Sequence, residues 1–276
     1  MSGFRDSQAL VTGGGRGIGR ALAEGLAARG AWVLVADRDL EAASEVVAGI
    51  EGRGGSGEAA SLDVSDSAAF TSLVEGLVEQ RGRIDWLFNN AGIGMTGEAR
   101  DMTPDAWDRI IDINLKGVVH GVVAAYPHMV RQGSGHIANT ACVAGLVPFP
   151  MTSAYCATKH AVVGLSTSLR AEAASLGVGV SVICPGLVAT DLFDRIEYFS
   201  VDKQAMIDPV MKASITPELC ARKVLRGVQR NRAVITVNAH AGIVWWLYRL
   251  APRPFVALTS HFFSRVRRRL RTAATG

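Results

Sequence analysis

Residues 8–19 read QALVTGGGRGIG. An apolar run of strand length ends at Thr12, a glycine cluster follows, and an amphipathic segment opens at Gly17. Strand, glycine turn, helix is the order in which such a loop can cradle a phosphate. Glycines let the backbone turn tightly, and the amides at the positive end of the helix face an approaching anion. Without that context the same residues would be an ordinary glycine-rich turn.

Outward from this loop, short apolar runs alternate with longer amphipathic ones. Strand-like runs at 31–37 (AWVLVAD), 58–64 (EAASLDV), 84–92 (IDWLFNNAG), 135–141 (GHIANTA), 178–186 (VGVSVICPG) and 233–237 (AVITV) alternate with helical patterns near 17–29, 39–50, 66–81, 104–131, 154–175 and 216–231. This alternation predicts an α/β fold, a doubly wound parallel sheet in three layers with helices on both faces. The Gly-rich stretch GIEGRGGSGE at 49–58 reads as a surface loop. Residues 1–237 are expected to form one dinucleotide-binding and catalytic domain, and 238–276 an apolar helical extension packed on it or lying at a membrane or subunit surface.

Composition agrees with one large domain: 276 residues, 49% hydrophobic. The net charge of +4 is concentrated at Arg265, Arg267, Arg268, Arg269 and Arg271, leaving the body nearly neutral. No basic stripe interleaved with aromatics crosses the body, so no nucleic-acid partner is expected. Cys142, Cys156, Cys184 and Cys220 lie far apart, without a C-x-x-C pair or a histidine at metal-ligand spacing. The start, MSGFRDSQALV, lacks the blocks of a signal peptide. A reduced, cytoplasmic protein without structural metal is expected. Arg249, Pro252, Arg253 and Pro254 interrupt the apolar stretch near 243–263, so no transmembrane helix is predicted.

The second strand ends in Asp37, about twenty residues past the loop, where a carboxylate can bond ribose hydroxyls and repel a 2′-phosphate. Arg16 and Arg38 pull the other way, since either could pair with that phosphate. The balance favours NAD over NADP. Asp63 could bond the adenine amino group or simply initiate the turn in DVSD.

TGGGRGIG at 12–19, NNAG at 89–92, Asn114, Tyr155-x-x-x-Lys159 and PGLVAT at 185–190, in this order and spacing, resemble the short-chain dehydrogenase/reductase family over residues 8 to about 236. The resemblance implies a Rossmann-like fold. It also implies a cofactor site formed by Gly13, Arg16, Gly17, Ile18, Gly19, Asp37, Arg38, Asp63, Val64, Asn90, Ala91, Gly92, Thr140, Tyr155, Lys159, Pro185, Gly186, Val188 and Thr190. Asn89 is expected to brace the sheet, and Asn114 resembles the position that holds a relay water, although it could instead satisfy a backbone group.

Tyr155 and Lys159 also carry chemistry on spacing alone. They stand one helical turn apart on one face. A free phenol, with a pKa of about 10, is a poor base at neutral pH, and a nearby ammonium favours the phenolate, which could take a proton from an alcohol while hydride leaves to NAD. Thirteen residues before Tyr155 the family places a serine, where this chain has Cys142 in NTACVAG. A thiol is a weak donor, and losing a whole donor of this kind costs about 2.7–4 kcal/mol. Three readings follow. One is an active dehydrogenase helped by the thiol, by Thr140, or by Ser153, itself a candidate N-cap. The second is an NAD-binding protein with weak or no turnover. The third is thiol chemistry at a Cys142 activated by Lys159.

The segment 191–211 covers the substrate in the family and here holds Leu192, Phe193, Ile196, Tyr198, Phe199, Met206, Ile207 and Met211. A lipophilic alcohol or ketone is therefore expected as substrate. Trp245, Trp246, Tyr248, Phe255, Phe262 and Phe263 beside arginines fit either a peripheral membrane contact or packing over the pocket or a neighbouring subunit. The family resemblance also implies a homodimer or homotetramer.

Overall fold

A computed structural model describes residues 3–204 and 213–270. Seven parallel strands make the main sheet: β1 (Gln8–Thr12), β2 (Trp32–Asp37), β3 (Ser56–Ser61), β4 (Trp86–Asn89), β6 (Gly135–Thr140), β7 (Val178–Cys184) and β9 (Val234–Thr236). A separate two-stranded parallel sheet pairs β5 (Met95–Gly97) with β8 (Glu197–Phe199).

The main-sheet order is β3-β2-β1-β4-β6-β7-β9. The chain winds outward from β1 to β3, returns beside β1 as β4, and winds outward the other way. At such a reversal the loops above the two central strands splay apart, leaving a crevice at the carboxyl ends of β1 and β4. Both the glycine loop and NNAG end there.

The helices are α1 (Gly17–Ala27), α2 (Leu40–Glu51), α3 (Ser67–Arg81), α4 (Pro104–Ile111), α5 (Gly117–Gln132), α6 (Ser153–Ala173), α7 (Leu192–Arg195), α8 (Pro217–Gln229), α9 (Ala239–Leu250) and α10 (Pro252–Leu270). Successive strand residues point to opposite faces. Ala9 and Val11 therefore join Leu22 and Leu26 of α1, Val46 of α2 and Val224 of α8 in one core. Leu10 points the other way, into a second core with Phe70 of α3, Ala125 of α5 and Leu169 of α6. A central strand buried on both faces has to be apolar throughout, which is why QALVT shows no alternation.

Local signals set the helix ends. The Asp66 side chain accepts from the Ala68 and Ala69 amides to start α3, and Gly82, at φ 76°, ends it in the left-handed conformation. Thr103 caps α4 ahead of Pro104, and Thr216 caps α8 ahead of Pro217.

Three expectations are corrected. The Gly-rich stretch 49–58 is a loop only at its centre, because α2 runs to Glu51 and β3 starts at Ser56. The 104–131 helix is broken by a π-helical turn over Asp112–Lys116, one residue wider than the α-helix on either side. Ser153 is the first residue of α6 rather than its N-cap, and Thr152 in that place makes no side-chain cap bond.

The C-terminal helices lie on the body. Val244, Trp245 and Tyr248 of α9 and Phe255 of α10 pack against a third cluster that includes Val118, Leu146, Val147, Val162 and Val182. Arg267 of α10 makes a two-pronged ion pair with Glu98, at 2.6 and 2.9 Å.

Candidate active site

The glycine loop lies where its neighbours leave no room for side chains. A Cβ on Gly13, whose φ is 61°, would stand 2.8 Å from the Ala91 Cα, and one on Gly19 would fall 2.0 Å from the Gly13 carbonyl oxygen. Gly17, at φ 51°, lies against Thr190, whose Cγ2 would be 3.1 Å from an added Cβ. Three segments predicted separately, the glycine loop with the start of α1, Asn90–Gly92 and Thr190, thus converge above β1 and β4. Arg16 precedes α1 without capping it, and no acidic side chain occupies the first turn, so the helix presents bare amide hydrogens to the crevice.

Thr12 and Asn90 fasten the two strand ends. The Thr12 hydroxyl accepts from the Asn90 and Ala91 amides at 3.0 and 3.1 Å. Asn90 Nδ2 in turn donates to the carbonyls of Thr12 and Gly13. Asn89 braces the sheet as expected, donating to Asn139 Oδ1 at 2.9 Å.

At the end of β2, Asp37 receives the Gly15 amide on Oδ2 at 3.0 Å and the Asp39 amide on Oδ1 at 3.1 Å. The Arg16 guanidinium pairs with Asp39 at 2.7 Å, so its charge is already matched. That contact, more than any other, raises the Arg16 pKa and holds the Asp39 carboxyl below its ordinary value. Arg38 is exposed. Asp63 forms the DVSD turn, its Oδ1 accepting from the Ser65 hydroxyl and amide, and those bonds lower its pKa. Val64 is buried beside it, with its carbonyl 2.9 Å from His120 Nδ1.

On the other side of the crevice stand Cys142, Tyr155 and Lys159. Lys159 is buried on α6 and donates from Nζ to the Thr140 carbonyl at 3.0 Å, while Nζ lies 5.6 Å from the centroid of the Tyr155 ring. Burial pushes the Lys159 ammonium down to about 8. Burial first, and Cys142 second, drive the Tyr155 phenol well above its usual value. In the protein alone, desolvation is the largest influence on the phenol.

Cys142 Sγ lies 3.5 Å from the Pro185 carbonyl oxygen, to which its thiol donates. Burial raises the thiol pKa, the opposite of what an activated thiolate needs. The Thr140 hydroxyl is buried at the end of β6 and has no hydrogen-bond partner among the described residues. Ser153 is exposed.

Asn114 lies in the π-helical turn, fully buried. Its Oδ1 accepts from the Ile93 amide at 2.8 Å, and its Nδ2 donates to the Ile93 carbonyl at 2.9 Å. The side chain is therefore spent on backbone just past NNAG, the alternative noted from the sequence. Gly92 lies between it and the lysine: a Cβ there would come 3.0 Å from Asn114 Oδ1 and 3.4 Å from Lys159 Nζ.

The PGLVAT loop is held by a residue that sequence reasoning missed. Asn238, buried just after β9, accepts from the Gly186 amide at 3.0 Å and donates to the Leu187 carbonyl at 3.3 Å. The bridge between Val188 and Ile215 continues this support. Nothing near Asn238 in sequence marks it, because its partners lie about fifty residues upstream. Thr12 was given no role either, although a hydroxyl residue closing β1 before the glycines was a signal that could have marked it.

The segment after PGLVAT crosses the site as α7 and then β8, which pairs Glu197, Tyr198 and Phe199 with Met95, Thr96 and Gly97. Leu192, Phe193, Ile196, Tyr198 and Phe199 are half-buried there. Met206, Ile207 and Met211 lie outside the described residues. Among the described residues, no group of three or more histidine, cysteine or acidic side chains is placed to hold a metal.

A family model described as short chain dehydrogenase matches residues 7–199. Among curated proteins, the short-chain reductase protein NovJ of Streptomyces niveus is 38% identical over 227 residues, covering 80% of this chain and 86% of that one. The "Probable oxidoreductase EphD" of Mycobacterium tuberculosis is 33% identical over 91% of this chain, which spans only 44% of its length. Among solved structures, a short chain dehydrogenase/reductase from Burkholderia phymatum in complex with NAD superposes with a TM-score of 0.84 at 30% identity, covering 91% of this chain and 95% of that one. Levodione reductase superposes with a TM-score of 0.78 at 30% identity, covering 87% and 99%.

Proposed function

The chain belongs to the short-chain dehydrogenase/reductase family of oxidoreductases, and on that premise we propose that it binds NAD and interconverts a secondary alcohol and a ketone on a lipophilic substrate, with Tyr155 as general acid/base. The observation that carries this reading is the placement of a half-buried Tyr155 and a buried Lys159 one turn apart on α6, with Lys159 Nζ anchored on the Thr140 carbonyl.

The crevice fits a dinucleotide. Gly13, Gly17 and Gly19 let the loop turn tightly against Ala91 and Thr190, and the open amides of α1 face the crevice. Asp37 suits ribose hydroxyls, and Arg16, one of the two candidate cations for a 2′-phosphate, is already paired with Asp39. This supports NAD over NADP, as does the NAD carried by the Burkholderia phymatum structure. The buried Thr140 hydroxyl and the PGLVAT loop, tied by Asn238, would meet the nicotinamide end.

Bound NAD supplies the hydride acceptor and, in its oxidised form, a positive charge near the phenol. Tyr155 Oη would take the alcohol proton during oxidation and return it during reduction. Lys159, one turn away, would hold the ribose hydroxyls and favour the phenolate electrostatically. Asn114 would act as a positioning residue, fixing Ile93 and the strand end beside Gly92.

Cys142 is read as occupying the family's serine position. Its thiol would be a poor donor to the substrate oxygen, so turnover would be slowed rather than abolished. An NAD-binding protein with little turnover is the second reading, favoured by the aim of the Cys142 thiol at the Pro185 carbonyl.

A lipophilic substrate is supported by the apolar cluster of Met95, Met102, Ile110 and Ala154, against which Tyr155, Ile93, Trp107 and Phe199 pack. NAD reduction with a panel of secondary alcohols, from short polyols to long-chain and cyclic substrates, tests the proposal. Turnover rising with apolar size supports it. NAD binding without turnover on any alcohol, in this chain and in Cys142→Ser alike, removes the dehydrogenase reading.

A further inference from the structure

Helix α9 is apolar on two faces, and among the described residues only one of them is packed. Val244, Trp245 and Tyr248 pack inward against the third core cluster. Ile243, Trp246, Leu247 and Leu250 recur at helical spacing on the other side and are 61%, 61%, 55% and 73% exposed. Leu258 and Phe262, one turn apart on α10, are exposed as well. A contiguous exposed apolar face of this kind marks an interaction site rather than ordinary surface scatter.

Charge says what covers it. From residue 239 to the end the chain has seven arginines and no aspartate or glutamate. Arg249, Arg253 and Arg265 are exposed on the same two helices as the apolar face. Arg249 stacks over Trp245, its guanidinium carbon 5.3 Å from the ring centroid, and Arg267 is held by Glu98. A two-fold pairing of this surface with a second copy would bring the same arginines together, a repulsive arrangement. An anionic bilayer matches both features, taking the apolar side chains into its interfacial layer and the arginines among its headgroups. Among the described residues no helix is long and apolar enough to cross a membrane, which leaves lying on the surface as the mode.

We propose that α9 and α10 form an interfacial membrane-docking surface for anionic lipid, inserting Trp246, Leu250 and Phe262 and pairing Arg249, Arg253 and Arg265 with lipid headgroups.

The test is co-sedimentation of the full chain with vesicles of phosphatidylcholine alone or containing phosphatidylglycerol, at low and high salt. Binding only to the anionic vesicles, weakened by salt, is expected. Neutralising Arg249, Arg253 and Arg265 to Gln should weaken it on the order of 100-fold, and Trp246→Ser with Leu250→Ser by roughly tenfold or more. These positions are exposed, so an unchanged melting temperature would verify that both variants fold. Equal binding to neutral and anionic vesicles would overturn the proposal. So would absent binding, whether or not the Trp246/Leu250 variant splits an oligomer seen by light scattering, a split pointing to a second copy as the occupant.

Discussion

Lys159 Nζ lies 5.6 Å from the centre of the Tyr155 ring and hydrogen-bonds the Thr140 carbonyl at 3.0 Å. Both residues stand on α6, and the end of β6 holds the lysine head in place. Burial moves their pKa values apart, the phenol upward and the ammonium down to about 8.

Tyr155→Phe removes the proton carrier and leaves the ring packing against Ile110 and its neighbours in place. Turnover should fall about 10²- to 10⁴-fold, with NAD affinity, followed by fluorescence, within a few-fold of the parent. Parent-like kcat would exclude Tyr155 as the acid/base.

Cys142→Ser should raise kcat, by about tenfold, since a hydroxyl donates better than a thiol and a whole donor of this kind is worth about 10²–10³. The NAD affinity should stay unchanged. Steady-state kinetics decide it: a slower serine variant would mean that the thiol is the better-fitted group.

Asp37→Ser removes the carboxylate that opposes a 2′-phosphate. The ratio of kcat/KM for NADP over NAD should rise on the order of tenfold or more. An unchanged ratio would assign cofactor choice to Arg38 or elsewhere.

Asn238→Ala strips the partners from the Gly186 amide and the Leu187 carbonyl. Each abandoned group costs about 1–3 kcal/mol. A lower urea midpoint and a raised KM for NAD are expected, the second because PGLVAT loses its anchor. A loss of stability with unchanged KM would separate Asn238 from cofactor binding.

Lys159 gives a pH signature in the protein without cofactor. Its folded pKa of about 8 lies below the ordinary 10.5, so between these values the unfolded chain binds more protons and stability rises with pH. Below about 8 the folded state bears the full cost of the buried charge, at most about 3 kcal/mol. Relative to Lys159→Met, the parent should therefore gain unfolding free energy from pH 8 to 10.5. Parallel curves in urea titrations would show that the ammonium is not strained by burial.

Much of the site was legible because its parts are local. The glycine loop, Asp37, NNAG, the Tyr155 and Lys159 pair and PGLVAT each sit at the end of a strand or on one helix face, and strand ends gather wherever parallel strands do. The less legible residues depend on distant partners. Asn114 read as a water holder or a backbone brace, and only the π-helical turn showed that its side chain reaches Ile93. Arg16 read as a candidate phosphate ligand, yet the start of α2 places Asp39 2.7 Å away. Asn238 carried no signal, since its partners come from another loop.

By itself, the sequence determined the order of the main-sheet strands and their crossover helices and the residues at the carboxyl edge, because apolar periodicity and glycine placement act within a few residues of themselves. Only the tertiary structure decided which charges were already paired, which amides were spent on backbone, how burial orders the phenol and the ammonium, and which face of α9 stays open. Those depend on desolvation and on contacts between segments far apart in the chain, and no local pattern records what will pack around a residue.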